Sequence, residues 1–221
     1  MHVKILLVSI VLVLMQFPAA GHAQESQTAA KAVASGAEIA LADCGAGSSA
    51  RRDWIMVADA TASSGTAIEH ARLPRTEAAE GLAICQSAVL KNGDLSLRFK
   101  ANAAAPRQAA GLALRMATPK DYYLVTVDAL RNRAVLLQVS NGHAEEIVGV
   151  DAYVDADAWH TLAVRAQDDC FTVYLDGDWI FTGYDKTFAH AGRIALWAEP
   201  GSVARFDRVT MAPIPKPQAW Q

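Results

Sequence analysis

Hydrophobic and polar positions alternate with a period of two over much of the second half of this chain. In the segment 95–99 (LSLRF) every second residue is apolar, which is typical of a strand with one buried and one wet face. Further short segments that alternate or are rich in β-forming residues lie at 111–116, 122–128, 135–140, 160–165, 171–175, 179–181, 194–197 and 206–211. Turn residues separate them, so the sequence predicts an all-β sandwich or barrel.

Two dipeptides between these segments predict tight hairpins. Asn141-Gly142 closes the β-like run 135–140, and Asp176-Gly177 lies between the runs 171–175 and 179–181. Both positions of a two-residue hairpin turn favour residues that tolerate positive φ, and Asn, Asp and Gly are the residues that do so at least cost. We therefore expect adjacent antiparallel strands on either side of each dipeptide.

The first residues have the pattern of an export signal. Lys4 precedes the apolar run Ile5–Met15, and a helix-breaking Pro18 and small residues lead to Ala23. A membrane-spanning helix needs about 20 apolar residues, and this run is shorter. The sequence thus predicts a signal peptide at 1–23, cleaved after Ala23, and a periplasmic or secreted mature protein without a membrane span.

The mature chain predicts one domain between two irregular ends. Residues 24–51 are rich in Ala, Ser and Gly and predict a flexible lead-in, whereas 212–221 predicts a Pro-rich extended tail. The β-sandwich domain is expected at 52–211, a length suited to one hydrophobic core.

Charge and cysteine content restrict the classes of partner. The formal net charge is −3, and loss of Lys4 with the signal peptide lowers it to −4, so no basic stripe favours nucleic acid. An oxidising compartment would allow two of Cys44, Cys85 and Cys170 to pair, and the sequence leaves all three pairings open. Their spacing fits no zinc site, and we predict no metal and no cofactor.

The order of motifs resembles a known superfamily. Along the chain these are GLALRM, DYYLVTVDALRN, a strand ending in NG, WHTLAV, FTVYLDGDWIF, GRIALW and SVARFDRV. This succession, over 83–211, resembles the concanavalin A-like lectin/glucanase superfamily. Within that superfamily it looks like the bacterial laminin-G-like domains that are also labelled 3-keto-disaccharide hydrolase-like. The resemblance implies a two-sheet antiparallel jelly-roll sandwich with a concave sheet that binds sugar in many relatives.

The catalytic carboxylates of the superfamily's glucanases have no counterpart in this sequence. Retaining glycosidases need two carboxyl groups about 5 Å apart, and these glucanases carry them as E-x-D-x-x-E on one strand. Glu145 and Glu146 are adjacent and would point to opposite faces of a strand. The sequence therefore predicts no catalytic residues, and Asp151, Asp155 and Asp157 are interpreted as solvated loop charge rather than a calcium site.

Candidate ligand-binding residues lie on two neighbouring strands. Arg115 is a charged residue in an otherwise apolar segment, and Tyr122 and Tyr123 open the next one, which ends at Asp128. The guanidinium fork of Arg and the ring of Tyr suit sugar binding. Alternatively, Arg115 pairs with Asp121 or Asp128 as part of the scaffold.

Two more candidates follow in the chain. His160 has the parity of an inward-facing residue, and a structural role is favoured over that of a catalytic base because no Ser or Cys partner is visible. Trp179 follows a turn, so it is the best candidate for stacking on a sugar ring. Trp159 and Trp197 are interpreted as core or rim packing.

These observations support three hypotheses for function. The first is an exported β-sandwich that binds an oligosaccharide or other glycan on the concave sheet without glucanase catalysis. The second is a glycoside hydrolase-like enzyme acting on a (3-keto-)disaccharide. The third is a laminin-G-like protein-interaction module without a sugar site. The ligand and the oligomeric state are left open.

Overall fold

A computed structural model describes residues 36–45, 53–70 and 81–214 of the chain. Within these ranges the structure contains fourteen β-strands and a short 3₁₀ helix at Leu41–Asp43. The strands are β1 (Ala37–Ile39), β2 (Trp54–Ala58), β3 (Thr66–His70), β4 (Leu82–Leu90), β5 (Gly93–Ala101), β6 (Ala109–Thr118), β7 (Asp121–Asp128), β8 (Arg133–Ser140), β9 (His143–Asp151), β10 (His160–Gln167), β11 (Cys170–Leu175), β12 (Asp178–Tyr184), β13 (Gly192–Ala198) and β14 (Ala204–Pro213).

The strands form two antiparallel sheets. One has eight strands in the order β12-β11-β10-β5-β14-β3-β2, with β1 also pairing with β14. The other has six strands in the order β4-β13-β6-β7-β8-β9. The predicted all-β sandwich is thereby confirmed. No helix in the described ranges is long and apolar enough to cross a bilayer.

Alternation along the strands builds the core between the sheets. Leu97 and Phe99 of β5 point inward from the eight-stranded sheet, and both are fully buried. Leu112, Val125 and Leu136 face them from β6, β7 and β8 of the six-stranded sheet. Burying these side chains removes apolar surface from water, which is the main favourable contribution to the stability of such a sandwich.

Both predicted hairpins are present. Asn141 and Gly142 have φ values of 53° and 81° between β8 and β9. Asp176 and Gly177 have φ values of 52° and 93° between β11 and β12. Two consecutive positive φ angles match the right-handed twist of the flanking strands, which explains why these dipeptides fix the register there.

Part of the predicted flexible lead-in belongs to the sandwich. Residues 36–45 include β1, which pairs with β14 from Ala37 opposite Met211 to Ile39 opposite Val209. A disulfide then joins Cys44 to Cys85 of β4, and Cys170 is a free thiol. The expectation of a flexible segment is thus corrected for residues 36–45, because long-range pairing and a cross-link order a stretch whose composition is weakly structured. The predicted signal peptide at 1–23 lies outside the described residues.

Candidate functional site

The two outer faces of the sandwich differ in chemistry. Because alternate residues of β5 point into the core, Asp94, Ser96, Arg98 and Lys100 point outward. We call the outer face of the eight-stranded sheet the polar face. The outer face of the six-stranded sheet carries apolar side chains at its centre, and we call it the apolar face. Its members are Leu82, Ile84, Ala113, Met116, Tyr122, Leu124, Leu137, Val139, Ala195 and Trp197.

Asp59 is the centre of an ionic network on the polar face. Its carboxylate accepts hydrogen bonds from Lys100 Nζ at 2.7 Å and from Arg205 Nη1 at 2.8 Å. Thr61 donates to the same carboxylate through its hydroxyl at 2.6 Å and its backbone N–H at 2.9 Å. Arg205 Nε reaches Glu69 at 2.6 Å. The Lys100 ammonium, followed by the Thr61 hydroxyl and Arg205, holds the pKa of Asp59 far below its usual range.

A second ion pair lies beside this network. Arg98 Nη1 donates to Asp207 Oδ2 at 2.5 Å and to the Ser63 hydroxyl at 2.8 Å. The Asp207 side chain is fully buried, and Ser63 N–H also donates to it. Asp207 follows Phe206 in a bulge of β14, which turns its carboxylate toward the outer side of the sheet.

A polar cleft of about 140 Å³ opens at one end of the polar face. Its polar lining residues, which come from four parts of the chain, are Glu69, Lys100, Asn102, Asp157 and Arg205. The apolar residues Ala101 and Val203 complete the lining. The cleft forms where β5 ends and β14 begins, because Asn102 N–H donates to Val203 O and Asp157 N–H donates to Ala101 O. These two backbone hydrogen bonds fix the positions of the Asn102 and Asp157 side chains at its edge.

Trp159 lies across the charged residues next to this cleft. Its ring centroid is 4.8 Å from Lys100 Nζ and 4.7 Å from Arg98 Cζ. Its indole N–H donates to Thr61 Oγ1 at 2.8 Å. The ring is partly exposed, and cation–π attraction with a hydrogen bond fixes its plane.

The structure places Arg115 inside the sandwich rather than on an outer face. Arg115 is only 2 % exposed and has a φ of 50° in an irregularity of β6. It donates to the carbonyl oxygens of Lys91 at 2.9 Å and Phe188 at 3.2 Å, and its guanidinium lies 4.9 Å from the centre of the Phe171 ring. A Cβ on Gly192 would come within 2.4 Å of the Arg115 carbonyl carbon, so this close crossing requires glycine.

Tyr123 lies near Arg115, in the same interior region. Its hydroxyl donates to Asp185 Oδ1 at 2.5 Å and accepts the Phe188 N–H at 3.0 Å. Burial, with the Asp185 carboxylate as the second cause, raises the pKa of Tyr123 to about 12. The two residues are therefore close together, as the sequence suggests, but they brace the loop around Phe188 from within the core.

Tyr122 and Asp128 occupy the outer side of β7. Tyr122 is buried among the members of the apolar face. Asp128 accepts the backbone N–H groups of Leu130 and Arg131 and forms an ion pair with the Arg131 side chain. This pattern closes the turn between β7 and β8, which is a common structural role for aspartate.

His160 and Trp179 lie away from these residues. His160 Nδ1 is 2.6 Å from Asp176 Oδ2 and its Nε2 is 3.0 Å from Asp155 O, which positions the ring against Phe99 at the start of β10. Trp179 lies on β12 at the edge of the eight-stranded sheet and is 54 % exposed. The six sequence candidates are thus distributed over the core, both sheets and a strand end, and their roles as ligands stay predictions.

Sequence reasoning does not identify the network of Asp59, Glu69, Lys100 and Arg205. Alternation along β5 already indicates that Lys100 lies on a wet face, but its partners come from distant segments. Within the described ranges, no group of three or more His, Cys, Asp or Glu side chains is arranged to hold a metal ion.

Comparisons with known proteins show the fold. No family model and no curated protein matches the sequence. Among solved structures, a carbohydrate-binding module CBM66 from Bacillus subtilis is similar to this chain, with 23 % sequence identity and a TM-score of 0.56. The match covers 72 % of this chain and 94 % of the module. A β-glucanase from Bacillus licheniformis is 14 % identical and superposes with a TM-score of 0.51. This match covers 74 % of this chain and 83 % of the glucanase chain. The fold is the concanavalin A-like jelly roll, as the motif order implies.

Proposed function

We propose that this protein binds carbohydrate in the polar cleft, with Trp159 as the stacking surface for a sugar ring. The observation that carries the proposal is the juxtaposition of a cleft with polar walls and a fixed, partly exposed tryptophan. Sugar sites combine a small number of oriented polar groups with an aromatic face, and the cleft offers both on one side of one sheet.

The cleft offers both donors and acceptors to sugar hydroxyls. Asn102 uses its side-chain oxygen to accept the Ala104 N–H, and its amide nitrogen has no partner among the described residues. Asp157 uses Oδ1 to accept the Ala103 N–H, and its Oδ2 likewise has no partner within that part of the chain. A free donor and a free acceptor at the edge of one cleft match the vicinal hydroxyls of a pyranose or furanose ring.

The orientation of Trp159 suits stacking. Arg98 and Lys100 both project outward from β5, and their charged groups lie 4.7 Å and 4.8 Å from the ring centroid. The ring is partly exposed, so the C–H groups of a sugar can pack on its accessible part. Because the ring is already held by two cations and Thr61, little side-chain entropy is lost on binding.

The structural relatives support the same class of ligand. One is named as a carbohydrate-binding module and another as a β-glucanase. Export to the periplasm or the medium, which the first 23 residues predict, would bring this protein into contact with polysaccharides.

Ionisation in the network favours binding over hydrolysis. A glycosidase needs a carboxylic acid with a raised pKa as proton donor. Asp59 has a lowered pKa and two cationic partners, and Glu69 is held by Arg205 at 2.6 Å. A carboxylate held as Asp59 is held accepts structural hydrogen bonds and is a poor proton donor.

A glycan array followed by calorimetric titration with the best-bound oligosaccharide tests the proposal. We expect Trp159→Ala to weaken binding about tenfold through loss of ring stacking. Asn102→Ala should also weaken binding, whereas Tyr184→Ala, which removes an exposed aromatic residue on β12, should not. A folded protein that binds no glycan, or wild-type affinity in both Trp159→Ala and Asn102→Ala, would contradict the proposal. Loss of binding in Trp179→Ala alone would move the site to β12.

A further inference from the structure

The cations of the polar cleft are already bound to carboxylates of the fold. Lys100 Nζ donates to Asp59 Oδ2 at 2.7 Å and to Thr61 Oγ1 at 3.0 Å. Arg205 donates to Glu69 through Nε at 2.6 Å and to Asp59 through Nη1 at 2.8 Å. The Asp59 side chain is only 5 % exposed, so withdrawal of either cation would leave a buried carboxylate with less compensation.

The charge on Asp59 is itself secured by these contacts. Its pKa lies far below the usual range, chiefly because of the hydrogen bond from Lys100, so this carboxylate stays ionised at neutral pH. It therefore continues to hold both cations when a ligand approaches the cleft.

Asp157 is a carboxylate of the cleft without a cationic partner among the described residues. Its Oδ1 accepts the Ala103 N–H at 3.1 Å, and its own backbone N–H donates to Ala101 O at 2.7 Å. Its φ of 65° lies in the left-handed region, which Asp and Asn tolerate better than most residues. The backbone thus fixes an uncompensated carboxylate at the edge of the cleft.

The charge balance of the cleft is negative. The charged lining residues are Glu69, Lys100, Asp157 and Arg205, and Asp59 is the shared partner of the two cations. Three carboxylates therefore face two cations, which gives these five residues a net charge of −1.

We propose that the cleft selects uncharged glycans over glycans that carry carboxylate or sulfate groups, with Asp157 as the specificity-determining residue. This inference rests on the proposed function, because it takes the cleft to be the glycan site. Proteins bind anionic groups through Arg or Lys side chains, and here Asp59 and Glu69 already neutralise both cations. An anionic sugar would also lie close to Asp157, and like charges at short range repel.

Uncharged hydroxyl groups suit the same surroundings. A sugar hydroxyl can donate to Asp157 Oδ2, and a neighbouring hydroxyl can accept from the amide nitrogen of Asn102. A hydrogen bond to an ionised acceptor is stronger than one between neutral groups. An ionised carboxylate on the sugar has no proton to donate, so Asp157 favours the neutral ligand and opposes the anionic one.

A glycan array that carries neutral, uronic acid-containing and sulfated oligosaccharides gives the first test. We expect the bound glycans to be neutral at low ionic strength. Calorimetric titration then compares the best-bound neutral oligosaccharide with the same oligosaccharide after oxidation of its primary hydroxyls to carboxylates. The wild type should bind the neutral form about tenfold more tightly, and the difference should shrink in about 0.5 M NaCl.

Asp157→Asn separates the charge from the shape of the cleft. Asparagine tolerates the same φ and keeps an oxygen that can accept the Ala103 N–H. The variant should bind the neutral form more weakly, because an acceptor is lost, and its preference for the neutral form should fall about fivefold. Glu145→Gln, which removes one negative charge from exposed β9 of the other sheet, is the matched control and should keep the wild-type preference.

The possible failures are distinguishable. Strongest binding to a uronic acid-containing or sulfated glycan that is lost in Trp159→Ala would overturn this inference and leave the proposed function standing. An unchanged preference in Asp157→Asn, or an equal fall in Glu145→Gln, would overturn the role of Asp157. Absence of binding to every glycan refutes the proposed function and this inference with it. If Asp157→Asn loses the circular dichroism of the β-sheet, Asp157→Gly removes the same charge at a position where glycine is unstrained.

Discussion

Lys100 and Leu124 both point away from the core, one from each sheet, and they lie in opposite environments. Lys100 is bound to Asp59 and Thr61 on a face where charges pair with one another. Leu124 is 3 % exposed and is buried among apolar neighbours at the centre of its face. The same strand periodicity therefore produces a polar surface on one sheet and a second apolar cluster on the other.

This difference has a consequence for function. The polar face offers oriented hydrogen-bonding groups and a fixed aromatic ring, so it suits a polar ligand such as a glycan. The apolar face offers contact area without direction, which suits packing against another part of a protein. This contrast supports the proposal that a glycan binds on the eight-stranded sheet.

The largest expected effect is that of a carboxylate introduced on the apolar face. Leu124→Asp should lower the free energy of unfolding by about 3–5 kcal/mol, because it leaves a charge without a partner in a buried cluster. Thr172→Asp, which points outward on the polar face opposite Arg165, should change it by about 1 kcal/mol or less. Urea unfolding of the protein with its disulfide intact measures the free energy of unfolding of both variants. Equal decreases in the two variants would contradict the difference between the two faces.

A smaller, pH-dependent effect is expected at the centre of the ionic network. The fold lowers the pKa of Asp59, so this carboxylate stabilises the protein above its unfolded pKa of about 4, and the stabilisation is lost as the pH falls below that value. Asp59→Asn should thus destabilise the protein at neutral pH and progressively less in acid. Thermal unfolding from pH 7 to pH 3 checks this. Leu137→Ala on the apolar face is the control, and its effect should not change with pH in this range.

The smallest effect is expected for an isolated pair on the polar face. Arg165 donates to both oxygens of Asp94 at 2.7 and 2.8 Å, and it is partly exposed. Arg165→Lys loses the two-point geometry and should cost about 1 kcal/mol or less. Because salt screens exposed charges, this cost should shrink in 1 M NaCl, whereas that of Leu137→Ala should not. A cost that does not change with salt would show that packing of the Arg165 stem, rather than the charge pair, dominates.

Much of the fold can be predicted from the sequence because strand alternation and hairpin turns are local properties. Strands β5 to β8 and β10 to β14 fall on the predicted segments. Strands β1 to β4 are not predicted, and β9 is expected only as the partner strand that follows the Asn141-Gly142 turn. In β4 (LAICQSAVL), both sides are buried over the first four residues, so no alternation marks it. Strand β9 is exposed at its first four residues and lies at a sheet edge, so its pattern is weak.

The candidate site is harder to predict from the sequence, because its residues come together only through long-range strand pairing. The Asp59 and Arg205 side chains meet across 146 positions of sequence. Arg115 stands out in the sequence as a charge in an apolar strand, but the irregularity at that position turns it into the core. A one-residue irregularity reverses the side to which a side chain points, and no local pattern reveals it.

By itself, the sequence determines where most strands run, where two hairpins turn, and that the chain builds a sandwich, since these depend on neighbours a few residues apart. Only the tertiary structure decides that Cys44 pairs with Cys85, that Arg115 is interior, and that one outer face is ionic while the centre of the other is apolar and buried. The physical reason is that alternation separates two sides of a strand, but the environment of each side depends on which distant segment packs against it.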